Sequence, residues 1–134
     1  MESTLAGVGH IKTIERARKL GYKVVIIYTF VDSPASCVAR IQARVKNGGH
    51  PVPEEDIIRR FGRSKKHFWN TYKNLADNWI LYYNGGDEIV CVSEQDKGKD
   101  IAQDSRLLTQ EQAAMGRRGD AGAHLCRDTL RRGV

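Results

Sequence analysis

The apolar run from Tyr22 to Val31, YKVVIIYTFV, constrains this chain most. It is rich in β-branched residues and bounded by Gly21 on one side and Asp32-Ser33-Pro34 on the other. Its length suits a strand and falls well short of a membrane span. A strand apolar at consecutive rather than alternate positions is expected to be covered on both faces, as in a parallel sheet. Parallel strands need crossover connections, so the chain should alternate strand and helix, giving an α/β fold.

The flanking segments supply that alternation. Ile11, Ile14, Ala17, Arg18 and Leu20 recur near helical spacing before the run, and Gly21 provides a stop. After it, Ser33 is a good N-cap with Pro34 at the first helical position. Cys37, Val38, Ile41 and Val45 form the apolar face of this helix, while Arg40 and Arg44 lie four apart on another side. Asn47-Gly48-Gly49 ends it, and Pro51 and Pro53 keep the next residues extended. Pro53-Glu54-Glu55-Asp56 opens a further helix, with acids against its positive end. Ile57, Ile58, Phe61, His67, Phe68, Tyr72 and Leu75 carry that helix onward past a weak spot at Gly62. Asn78 to Asn84 reads as a second strand, Asn84-Gly85-Gly86-Asp87 as a turn, and Glu88 to Ser93 as a third, antiparallel strand. Ligands in such sheets sit beyond the carboxyl ends of the strands, here Val31-Asp32-Ser33 and Asn84.

The length of 134 residues is that of one domain with a modest core. Before the first helix, ESTLAGVG reads as a loop or helix entry through Gly7 and Gly9. Beyond Glu94 the chain turns charged and glycine-broken, so residues 1–93 are expected to form one unit and residues 94–134 a charged extension. That extension should be partly helical, from about Ile101 to Met115, and mobile or disordered beyond Gly116. The net charge is +6 and unevenly placed. From Arg40 to Lys66 eight Lys and Arg face three Asp and Glu, a surplus of five. This suggests an anionic partner such as a nucleotide, a nucleic acid or a phosphorylated metabolite; a solvated basic face is the plainer alternative. Cys37, Cys91 and Cys126 are odd in number and widely spaced, which suits a reducing cytoplasm and argues against a disulfide framework or zinc. His10, His50, His67 and His124 show no ligand spacing, and the start of the chain lacks the build of a signal peptide.

One resemblance spans roughly Glu2 to Val92. The segment ESTLAGVGHIKTIERARKLGYKVVIIYTF, followed by RVKNGGHPVPEEDIIRRFGRSKKHFWNTYKNLADNWILYYN, resembles the carboxyl-terminal half of zeta toxin-like P-loop kinases. The resemblance rests on the order of a glutamate-threonine start, a Lys-Leu-Gly-Tyr strand entry, and a Gly-Gly-His-x-x-Pro hinge followed by Ile-x-Arg-Arg. It implies part of a P-loop NTPase-like three-layer fold with a helical lid at about 44–63. It also implies transfer of the γ-phosphoryl of ATP, with magnesium, to a hydroxyl, which in the best-known members belongs to the nucleotide sugar UDP-N-acetylglucosamine. Under it, Arg44, Arg60 and Arg63 take the catalytic lid role, Glu2 and Thr4 meet the acceptor substrate, and Asn84 lies near the nucleotide base. An amino-terminal half or an antitoxin-like protein would be a partner. Phosphoryl transfer asks mainly for positioning and positive charge, which forked guanidinium groups on a glycine hinge can supply.

One departure from the family stands out. A P-loop needs G-x-x-x-x-G-K-[ST] after a buried strand. The nearest approach, Ala6 to Thr13, places Ala6 and Ile11 where both glycines belong, and is assigned instead to a helix. The family's first strand, P-loop and catalytic-base aspartate would lie upstream of Met1, so the chain alone is expected to be inactive and to self-associate. The competing reading is a basic module for RNA or a protein partner, since Arg59, Arg60, Lys65, Lys66, Phe68, Trp69 and Tyr72 interleave charge with aromatics. Phe68, Tyr72 and Leu75, however, share a helical stripe with Ile57 and Phe61, the pattern of a core face.

Overall fold

The computed structural model describes residues 1–96 and 98–113. Expectations for the chain beyond Gly116, including His124 and Cys126, lie outside the described residues. The elements are α1 (Ile11–Lys19), β1 (Val25–Phe30), α2 (Pro34–Lys46), α3 (Glu54–His67), a π-helical turn (Phe68–Tyr72), α4 (Lys73–Leu75), β2 (Asn78–Tyr83), β3 (Val90–Asp96), β4 (Lys99–Ala102) and α5 (Ser105–Ala113).

The fold is mixed α/β, with one four-stranded sheet in the order β1-β2-β3-β4. β1 and β2 run parallel, in register from Val25 opposite Asn78 to Phe30 opposite Tyr83. The connection through α2 and α3 is long enough for the crossover that a parallel pair demands. β2, β3 and β4 are successively antiparallel. A shift of register between Leu81 and Tyr82 leaves Val92 as the extra residue of a bulge, buried in the core.

The expected burial of the first strand on both faces does not occur. Ile26, Tyr28 and Phe30 turn to the core beside Trp79, Leu81 and Tyr83. On the opposite face Val25 is 54% and Ile27 63% exposed, and β1 is the edge of the sheet. Consecutive apolar residues show that both faces of a strand avoid charge, but they cannot show that a second layer is there to cover it.

Aromatic side chains fill the core. Tyr28 stacks on Phe68 at 4.4 Å between ring centroids, and Trp79 meets Phe68 edge-on at 6.0 Å. Phe68, Tyr72 and Leu81 are fully buried, each contributing on the order of 2–3 kcal/mol by leaving water. The π-helical turn holds Phe68 and Tyr72, so the aromatic stripe of this segment is core rather than a stacking platform. The boundary expected at residue 93 falls inside β3, and β4 occupies the start of the segment expected to be helical. Asp104 begins α5 by accepting the N–H groups of Arg106 and Leu107, each at 3.0 Å. Leu107 and Leu108 then pack against the core. Among the described residues, no helix is long and apolar enough to cross a membrane.

Candidate functional site

The carboxyl ends of β1 and β2 are tied into one polar floor. Ser33 caps α2 directly after β1, its hydroxyl accepting the Ser36 N–H at 3.2 Å. About two turns further on, Arg40 reaches back across the strand ends. Its Nη2 donates to the Asn84 carbonyl and, at 3.2 Å, to Asn84 Oδ1. The Asn84 N–H donates to the Phe30 carbonyl at 2.8 Å, extending the parallel ladder by one bond. The Tyr83 hydroxyl donates to Asp32 Oδ2 at 2.8 Å, and Gln110 of α5 donates to Oδ1 at 3.1 Å. That bond to the Asp32 carboxylate raises the Tyr83 phenol above its ordinary pKa. Asn84 therefore stands where the sheet rule places ligands, held by Arg40. Asp32 lies in the strand-end segment where a ligand was expected, whereas Arg40 and Tyr83 were not among the expected site residues. The available signal was the position of Arg40 on the first two turns of a helix that follows a strand end.

The hinge lies between two helices packed on one another. Gly48 adopts a φ of 89°, the left-handed conformation that side chains rarely take. At Gly49 a Cβ atom would come within 2.8 Å of the Arg44 Cγ, so the loop closes only because nothing projects there. Arg44 lies over this turn and donates to the His50 carbonyl at 3.2 Å. Arg60 and Arg63 are exposed on α3 and make no ion pair or hydrogen bond among the described residues, unlike Arg59, which pairs with Asp56 at 2.6 Å. Arg44, Arg60 and Arg63 share one hairpin, but no described residue is a hydrogen-bond or ion-pair partner of two of them.

The amino-terminal segment is fastened along α3 and the π-helical turn. Ser64 donates to the Thr4 carbonyl at 2.5 Å, His67 Nδ1 meets the Leu5 carbonyl at 3.1 Å, and Tyr72 donates to the Gly7 carbonyl at 2.6 Å. Ser64 lies four residues after Arg60, so the Thr4 backbone sits one helical turn from that guanidinium's anchor point. Glu2 is exposed and has no hydrogen-bond partner among the described residues. Lys12 and Thr13 are exposed within α1, as expected for a helix rather than a phosphate cradle.

Sequence reasoning missed the buried ion pair. Lys65 of α3 and Glu111 of α5 approach to 2.5 Å with side chains 5% and 0% exposed. The Lys65 ammonium also lies over the rings of Phe61 and Phe30, at 4.6 and 5.7 Å. Beyond the contact with Lys65, neither Glu111 carboxylate oxygen has a hydrogen-bond partner among the described residues. Burial pushes the Glu111 carboxyl up to about 7, although Lys65 pulls the other way. Burial likewise pushes the Tyr28 phenol up, despite the Ser64 hydroxyl that donates to it at 3.2 Å. In the sequence Lys65 is one cation among several, and nothing links it to a glutamate 46 positions on.

The sequence contains no G-x-x-x-x-G-K-[ST] motif. Among the described residues, no group of three His, Cys, Asp or Glu side chains could hold a metal ion. Cys37 and Cys91 are free thiols. No family model matches the chain, and no solved structure matches it. An uncharacterized protein of Haemophilus influenzae is 38% identical over 61 residues, covering 46% of this chain and 44% of the relative. The chain thus matches less than half the length of that relative.

Proposed function

We propose that this chain supplies the lid and acceptor-side half of a zeta toxin-like, ATP-dependent small-molecule kinase, with phosphoryl transfer to a hydroxyl such as that of a nucleotide sugar. The observation that carries this reading is the pair Arg60 and Arg63, which have no ion-pair or hydrogen-bond partner among the described residues and stand on a helix hinged at Gly48-Gly49. Exposed arginines commonly find a carboxylate nearby, as Arg59 does; two without such a partner among the described residues, on one helix, are available to an anion. The polar floor of Arg40 and Asn84 at the carboxyl ends of two parallel strands adds support, because open α/β sheets bind ligands there. A P-loop NTPase-like architecture is compatible with the parallel pair and its long crossover, and β1 offers an unpaired edge to which a further parallel strand could add.

On this reading the chain binds and positions phosphate, while gripping the nucleotide and activating the acceptor need residues that these 134 do not include. The isolated protein is expected to turn over no ATP. Nucleotide phosphates should nevertheless perturb the α2–α3 hairpin in a ¹⁵N-detected titration of the full chain. Magnesium-dependent ATP turnover by the purified protein, lost on Arg60→Ala, would contradict the inactive assignment. Binding of single-stranded RNA that spreads over the whole basic surface, with no preference for a nucleotide, would favour the RNA-module reading instead. The described residues make that second reading the weaker, because Phe68 and Tyr72 are fully buried and unavailable for base stacking.

A further inference from the structure

A buried lysine needs a reason to be buried. Lys65 sits beneath α5 with only 5% of its side chain exposed, and the one carboxylate it meets comes from Glu111. The other walls are Phe30 at the end of β1 and Phe61 of α3. Tyr28 of β1, which accepts a hydrogen bond from Ser64, and Cys37 of α2 lie near this ion pair, and burial raises the pKa of both. Were the Glu111 side chain displaced, the space it fills would form a chamber with one cation, two neutral hydrogen-bonding groups and aromatic sides. It lies at the carboxyl end of β1, beside the Asp32–Gln110 bond.

The partner is not one that stability alone would select. A buried ion pair repays its desolvation only with good geometry and further hydrogen bonds. Glu111 lies 2.5 Å from the Lys65 ammonium, but beyond it neither carboxylate oxygen has a hydrogen-bond partner among the described residues, although the side chain is wholly buried. Elsewhere α5 sets Leu107 and Leu108 on the core and Gln110 on Asp32.

We propose that the Lys65 chamber is a carboxylate-binding site, and that α5 occupies it in cis with the Glu111 side chain as a stand-in for the ligand. The ligand class is a small monocarboxylate carried on an apolar body. One ammonium between aromatic rings matches a single negative charge, whereas a phosphate dianion would call for more donors than Lys65, Tyr28 and Cys37 provide. Entry of such a ligand requires α5 to lift, so binding and release of α5 are one event. This site uses none of the lid arginines and stands apart from the kinase reading.

The test uses the full chain. Glu111→Ala removes a CH₂–COO⁻ unit, which is the size of acetate. Acetate should raise the melting temperature of Glu111→Ala saturably, beyond the effect of sodium chloride at equal ionic strength. The native chain should need at least about tenfold more acetate for the same occupancy, because Glu111 competes. At such concentrations limited proteolysis within α5 should speed up in the native chain. Lys65→Met combined with Glu111→Ala should abolish the acetate effect. Should Glu111→Ala fail to fold without ligand, recovery of folded protein by refolding in acetate but not in chloride gives the same readout. An acetate response equal to that of chloride, or one that survives Lys65→Met, would overturn the site. A saturable response to inorganic phosphate in place of acetate would overturn the carboxylate assignment.

Discussion

Gly49 accepts no side chain while Arg44 stays where it is, since an added Cβ would press on the Arg44 Cγ and carbonyl at 2.8 and 3.0 Å. Gly49→Ala is therefore expected to destabilise the chain by about 1–3 kcal/mol in urea melts, the usual cost of overpacking, and to detach Arg44 from His50. Glu111 makes a prediction in pH. Its folded pKa of about 7 lies above its ordinary 4.5, so across that window the folded chain holds a proton that the unfolded chain releases. Its contribution to stability is full below the lower value, declines as pH rises through the window and is constant above the upper one. Tyr28, the titratable group that faces it from β1, has a raised pKa and stays neutral throughout, as does Cys37 beside Lys65, while Lys65 supplies the opposing charge. Urea midpoints measured on both sides of the window should show the decline, and Glu111→Gln should flatten it. A native chain with no such decline would contradict the burial of Glu111.

At the scale of elements, α2 is the piece on which the site depends. Ser33→Ala removes the cap hydroxyl from a helix that carries both Arg40 and Arg44, and is expected to cost about 1 kcal/mol. Loss of the Arg40–Asn84 contact should accompany it, visible as a shift of the Asn84 amide resonance. That cap was legible in the sequence, because Ser-Pro at a helix entry follows from local chemistry alone. So were the stops at Gly21 and Asn47-Gly48-Gly49 and the antiparallel turn before β3. The edge position of β1 was not, because it depends on what lies next to the strand rather than on the strand's own residues. β4 escaped as well: Lys99–Ala102 is short and exposed at every position, so it carries no alternation to detect. The Lys65–Glu111 pair escaped for a related reason, since only the tertiary placement of α5, which packs beside β3, brings those two residues together.

At the scale of the whole molecule, the open face and edge of β1 stand out. The strand carries no charge and no proline between Val25 and Phe30, and it lacks the devices that keep edge strands apart. Self-association through this edge is expected, rising with concentration in sedimentation experiments, and Ile27→Lys should suppress it while leaving the core face intact. A monomer at all concentrations would show that the edge is harmless as it stands. The central claim concerns the other side of the molecule: the hinged α2–α3 hairpin is a phosphate clamp. Titration calorimetry of the full chain with tripolyphosphate tests it most directly. Arg60→Ala and Arg63→Ala should each weaken binding by about tenfold or more, the scale of one charge-assisted hydrogen bond, whereas Arg16→Ala on α1 should leave it nearly unchanged. Equal losses for all three variants, or no binding at all, would contradict the clamp and leave Arg60 and Arg63 as solvated charges on a surface helix.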